Sequence, residues 1–151
     1  ARDVLEKALK FLRTGAAVSE DIDKNSIYSA LIGKKANSEA YAVAYKYLCS
    51  LLDLECFIVH GQKGRDDYCW NIVGFDDMYF HVDVARCIEE KSLEAFLLSD
   101  KDIWGEYMWN TYLYKACQFD ILEIESQEIE EAVPELPEAE LPFPDDEKAI
   151  I

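Results

Sequence analysis

With 151 residues, half of them hydrophobic and 13% aromatic, the chain is long enough for one domain with a buried core. Its 31 acidic residues against 15 basic give a net charge of −16, a surface that repels phosphate backbones and argues against nucleic acid as a partner. No apolar run reaches the roughly 18 residues a membrane span needs.

Residues 2–14 place Val4, Leu5, Ala8, Leu9, Phe11 and Leu12 at helical spacing, which predicts a first amphipathic helix stopped by Gly15. A looser, polar stretch follows, and Gly33 with Lys34 and Lys35 reads as a turn. The second helix is predicted from about Ser38 to Leu52, capped by Asn37 or Ser38. Its apolar stripe is Ala40, Val43, Ala44, Tyr47, Leu48 and Leu51. The small alanines suggest tight packing, most naturally on a sheet.

The segment LECFIVHG (54–61) then reads as a strand, Gly61 to Asp67 as a turn cluster, and YCWNIVGF (68–75) and MYFHVDVA (78–85) as two further strands. Asp76-Asp77 between them is a hairpin signal. SLEAFLL (92–98) and the aromatic stretch 101–114 have no clear period. In that stretch Trp104, Tyr107, Met108, Trp109, Tyr112 and Tyr114 read as core, with a partner-binding surface as the alternative. Helices first and a strand meander after them make an α+β pattern.

From Asp120 onward the chain holds twelve acids against one lysine and all four prolines (Pro134, Pro137, Pro142 and Pro144). This divides it into a domain over 1–118 and an acidic Pro/Glu-rich segment over 119–151. FDILEI alternates in apolar residues and is expected to add a strand or dock on the body, and from Pro134 the composition predicts an extended, solvated stretch. The five cysteines (Cys49, Cys56, Cys69, Cys87 and Cys117) show no CxxC or zinc-type spacing, so no metal and no cofactor is expected. Free thiols in a reducing compartment are the simpler reading; disulfides in an exported domain are the other.

Three motifs in order resemble the transglutaminase-like superfamily, of papain-related fold, and its bacterial members in particular. Ala36-Asn37-Ser38-Glu39-Ala40-Tyr41-Ala42 resembles the G-x-C-E-G-Y-A that opens the family's central helix. Tyr68-Cys69-Trp70-Asn71-Ile72-Val73 resembles H-A-W-N-x-V, and Met78 to Ala85 resembles W-Y-H-V-D-V-T-W. FLLSD (96–100) and the YKAC ending at Cys117 resemble a C-terminal extension of many members. The resemblance covers about residues 1–118. It implies N-terminal helices and a central helix packed on an antiparallel sheet.

Carried over by position, the family's nucleophilic cysteine falls on Ser38, its histidine on Tyr68 and its aspartate on Asp83. An active thiol at a helix N-terminus is ionised by the helix dipole and an adjacent imidazolium. A serine hydroxyl needs a positioned base to take its proton, and a phenol with an ordinary pKa of about 10 is a poor one at neutral pH. His81 shares a strand face with Asp83 but also has a counterpart in active relatives, which implies a structural role. Cys69 is expected to face the core, on the opposite side of the sheet from Tyr68. Cys49 lies roughly 16 Å of helix rise from Ser38, and His60 reads as a surface residue.

The resemblance therefore implies a degenerate catalytic triad: a pseudoenzyme that holds a peptide or protein segment in the former substrate groove. Glu39, Tyr41, Trp70 and His81 are the expected cleft residues. The alternative is an acyl transferase or hydrolase with an altered, Ser38-based nucleophile, or one with an engineered serine.

Overall fold

Leu5, Ala8, Leu9 and Leu12 form the buried stripe of α1 (Arg2–Arg13), as their spacing predicts, whereas Phe11 is 57% exposed. The computed structural model describes residues 1–21 and 26–132, with backbone alone for 128–132. Two compact units are present, Ala1–Phe119 and Asp120–Ile151. Among the described residues no helix is long and apolar enough to cross a membrane.

In the first unit, β1 (Ala17–Val18) pairs in parallel with β2 (Lys35–Ala36), on either side of a π-helical turn (Ser29–Gly33). Then comes α2 (Ser38–Leu51), capped by Asn37, whose Oδ1 accepts from the Ala40 amide at 2.9 Å. The face that α2 buries differs from the predicted stripe. It consists of Ala40, Tyr41, Ala42, Ala44, Tyr45 and Cys49, while Tyr47 and Leu51 are exposed. Two tyrosines turn inward because their hydroxyls reach carbonyls. Tyr41 donates to Ala17 O at 2.8 Å and Tyr45 to Leu5 O at 2.9 Å, tying α2 to β1 and α1.

Five antiparallel strands form one sheet in the order β6-β5-β4-β3-β7. Strands β3 (Glu55–Lys63) and β4 (Asp66–Phe75) pair as far as Lys63 and Asp66. The turn is thus only Gly64-Arg65, shorter than the 61–67 cluster predicts, with Gly64 in the left-handed region. Asp76 and Asp77, both at positive φ, make the two-residue turn into β5 (Met78–Val82). The predicted third strand stops early. Asp83 ends it and caps α3 (Val84–Glu90), its Oδ1 accepting from the Arg86 amide at 3.0 Å.

The remaining elements of this unit are short: β6 (Phe96–Leu98), α4 (Asp100–Ile103) and β7 (Tyr107–Met108). β7 pairs with the end of β3, where Gly61 leaves room: a Cβ there would overlap the Met108 carbonyl and the Trp70 ring. The sheet has two covered faces. α2 packs on one, where Asn71 Nδ2 donates to Ala42 O at 2.9 Å. On the other, Val59, Trp70, Ile72, Ile103, Tyr107 and Cys117 form a core cluster.

The second unit begins with α5 (Ile121–Ala132), a helix and not the added strand that is one of the two readings of its apolar alternation. Its glutamates and leucine are good helix formers, and Ile121, Leu122 and Ile124 fit either period. The extended stretch expected from Pro134 lies outside the described residues.

Replacing Tyr45 by Phe leaves the Leu5 carbonyl without its buried donor, and urea denaturation should show a loss of about 1–3 kcal/mol. Leu9→Ala, a cavity in the same layer, should cost more, about 2–5 kcal/mol.

Candidate functional site

Ser38 is the first residue of α2, half-buried, and its Oγ accepts the backbone amide of Cys69 at 3.2 Å. That amide is free because Cys69 lies beyond the last residue of β4 that β5 covers, Asn71. The helix tip is therefore fastened to the strand backbone between Tyr68 and Cys69. Among the described residues the Ser38 hydroxyl has no hydrogen bond to an imidazole or a carboxylate.

Tyr68 and Asp83 do meet. The Tyr68 hydroxyl donates to Asp83 Oδ1 at 2.8 Å, and the Tyr107 hydroxyl donates to Oδ2 at 2.6 Å. Lys63 Nζ stands 3.8 Å from Oδ2 and about 5.0 Å above the Tyr68 ring. Asp83 is only 2% exposed. Burial and then the Asp83 charge hold both phenols well above the ordinary tyrosine range. The resemblance points to Tyr68 and Asp83; Lys63 and Tyr107 escape a sequence reading because the short β7 that brings Tyr107 in carries no periodic signal.

The expected cleft residues separate into two groups. Glu39 is exposed and, with His60, Gly61, Gln62, Asp67, Tyr68 and Cys69, lines a cleft of about 460 Å³. Tyr41, Trp70 and His81 are at most 1% exposed and belong to the core instead. Tyr41 is held by Ala17, as described above. The Trp70 indole donates to His81 Nδ1 at 2.9 Å, and His81 Nε2 lies 2.7 Å from Asp100 Oδ1. An indole N–H can only donate, so Nδ1 accepts and the imidazole proton sits on Nε2, directed at Asp100. His81 thus links β5 to α4 and has no free nitrogen for acid–base work at Ser38.

His81, Asp100 and Cys117 offer ligand atoms within 4.8 Å of one another, yet this cluster fits a structural tie better than a metal. A cation on His81 Nε2 would displace its proton while Trp70 still occupies Nδ1 as a donor, and a ligating imidazole ordinarily donates from its second nitrogen. Asp100 Oδ2 also accepts the Cys117 amide at 3.2 Å, and the Asp100 amide donates to Cys117 O at 2.7 Å. Burial, followed by the Asp100 charge, pushes the Cys117 thiol well up, so it stays protonated.

Cys69 does lie on the opposite face from Tyr68, as alternation requires, but it is half-buried at the cleft rather than in the core. Its Sγ is 3.3 Å from Nδ1 of the exposed His60, its cross-strand partner. The pairing becomes legible only once the β3–β4 turn is placed at Gly64-Arg65. Burial and then the charges of Glu39 and Asp67 push the Cys69 thiol up to about 11. A raised thiol pKa means a protonated group at neutral pH. Iodoacetamide labelling of Cys69 should therefore climb about tenfold per pH unit through pH 8–10, without the levelling near pH 8.5 of an ordinary thiol; mass spectrometry of pulse-labelled peptides checks this. Tyr68→Phe, which removes one donor from Asp83, should lower stability by about 1–3 kcal/mol in chemical denaturation.

No family model matches the chain, and no curated protein matches it. Among solved structures it is similar to a crystal structure of a transglutaminase (TGase), with a TM-score of 0.53 and 13% sequence identity over 83% of this chain. The match spans 40% of that protein's chain. At this identity the likeness carries the fold alone: a mixed helix-and-sheet domain with an antiparallel sheet and a transglutaminase-like arrangement.

Proposed function

We propose that the chain is a catalytically inactive transglutaminase-like domain that binds a peptide or protein segment along the groove beside Ser38. The observation that carries this reading is the direction of the hydrogen bonds at the three triad positions. Ser38 Oγ accepts a backbone amide, and Tyr68 spends its proton on Asp83. A phenol held above its ordinary range and already donating to a carboxylate is a poor acceptor for a serine proton. Asp83 in turn has both oxygens engaged by tyrosines and an amide, so it orients hydroxyls where a papain-like site would orient an imidazole.

The cleft at the tip of α2 supports the binding half of this reading. Glu39 from α2 and Gln62, Asp67 and Tyr68 from the β3–β4 hairpin border the cleft of about 460 Å³, a size that suits side chains of an extended segment. An unstructured ligand pays its ordering entropy on binding, so modest affinity is expected.

Three measurements test this. A fluorophosphonate probe should leave Ser38 unlabelled; labelling that disappears in Ser38→Ala would mean a serine-based hydrolase instead. In a Cys69→Ser background, the double change Ser38→Cys with Tyr68→His should alkylate at least about tenfold faster than Ser38→Cys alone, because an imidazole beside a helix-tip thiol favours the thiolate. Equal rates would remove the correspondence between these positions and a triad. A pool of extended peptides should raise the thermal midpoint, a ligand at a hundredfold excess over Kd being worth about 2.7 kcal/mol, and Glu39→Arg should diminish the shift. A pool that produces no shift at saturating concentration would refute the binding role.

A further inference from the structure

We propose that the outer edge of β3, from Cys56 to His60, is a strand-addition site for an extended segment of another chain. β4 pairs with β3 along its whole length, whereas β7 covers the opposite edge only at Gln62 and Lys63. The register identifies the groups left over. Gly64 N donates to Glu106 O at 3.1 Å, and Gln62 stands opposite Met108 in the same ladder. Hydrogen-bonded pairs alternate along an antiparallel ladder, so the even-numbered residues of β3 turn both N–H and C=O outward. Two side-chain contacts agree: the His60 amide donates to the Tyr114 hydroxyl at 3.2 Å, and Lys46 Nζ donates to Cys56 O at 2.9 Å. Between these ties lie the Cys56 N–H, the N–H and C=O of Ile58, and the His60 C=O. Among the described residues none of these groups has a hydrogen bond on the outer edge.

That row of donors and acceptors defines the occupant, because a free strand edge is matched by another extended backbone. A segment running antiparallel to β3, in line with β7, exchanges both bonds with Ile58, donates to the His60 C=O and accepts from the Cys56 N–H. Tyr114 and Lys46 close the two ends and limit the pairing to about five residues. The Ile58 side chain is half-buried on the α2 side, with its ladder partner Asn71, so a β-branched residue suits the position opposite it. The exposed Lys46 at the Cys56 end suits an acidic residue at the segment's C-terminal end. A second copy of this chain fits less well. A two-fold pair about Ile58 sets the His60 N–H against the Cys56 C=O, both already engaged, and brings together two chains of net charge −16. Apart from His60 the edge shares no residue with the cleft beside Ser38, so it stands whether or not that cleft holds a peptide.

Residue-resolved amide hydrogen exchange of the full chain tests this, with an acetylated peptide of alternating threonine and valine ending in glutamate as the probe. In the free chain the Cys56 and Ile58 amides should exchange fast, and those of Phe57 and Val59, which face β4, slowly. Saturating peptide should slow Cys56 and Ile58 at least about tenfold. N-methylation should weaken binding at least about tenfold at one alternate set of peptide residues and spare the other, because only every second amide of an added strand faces β3. Ile58→Pro deletes an N–H that the β4 ladder does not use and should abolish binding; should that variant fail to fold, the N-methyl series still decides. Slow exchange of Cys56 and Ile58 in the free chain overturns the proposal, since the edge is then already covered. Absence of binding at millimolar peptide overturns it too, as does binding that leaves both amides exchanging, which places the peptide in the cleft and leaves the cleft reading intact.

Discussion

The carboxylate of Asp83 is where five elements of the domain, β3, β4, β5, β7 and α3, meet. It is almost fully buried, and a charge taken out of water costs several kcal/mol unless its lone pairs are filled. Three elements fill them, β4 through Tyr68, β7 through Tyr107 and α3 through the Arg86 amide, and β3 adds the Lys63 ammonium 3.8 Å away. The same residue ends β5 and starts α3. Remove the charge and two tyrosines, a helix cap and a lysine lose their common partner together.

That constraint underlies the proposal that the domain keeps a transglutaminase-like arrangement without acyl-transfer chemistry. An aspartate serving an imidazole passes orientation along a chain that ends at a nucleophile. Here the chain ends at Asp83, because protons on both tyrosines point toward it. β4 separates this network from Ser38, whose hydroxyl is tied to the strand through the Cys69 backbone amide. On the network's side of the sheet, the Trp70–His81–Asp100 relay locks the short α4 and the segment around Cys117 over the sheet. Residues that a motif comparison would place in a cleft are mechanical ties.

What the sequence revealed follows from how local each signal was. The stripe of α1, the Asn37 cap and the Asp76-Asp77 turn depend on neighbours within a few residues, and each is legible. The α2 face is misread because tyrosine counts as apolar in a periodicity, yet Tyr41 and Tyr45 are drawn inward by carbonyls 24 and 40 residues away. The length of β3 and β4 is underestimated because Gly61 looks like a breaker when it serves a close approach. Asp83 looks like a strand residue because nothing local announces that it will cap a helix. At the site, the motif picks out Ser38, Tyr68 and Asp83, of which Tyr68 and Asp83 share a hydrogen bond while Ser38 meets the Cys69 backbone, whereas Tyr107, Lys63 and the Cys69–His60 pair emerge only from strand register.

Gly61 has no side chain, and that bareness sets how closely β7 approaches. Across that single missing methyl, the Trp70 indole and the Met108 carbonyl close over the strand, and Met108 brings its neighbour Tyr107 within reach of Asp83. The proton supply of a buried acid is thus governed by the emptiness of a backbone position that never touches it. A chain with a bulkier residue there would hold β7 at a distance and leave half of that carboxylate unclaimed.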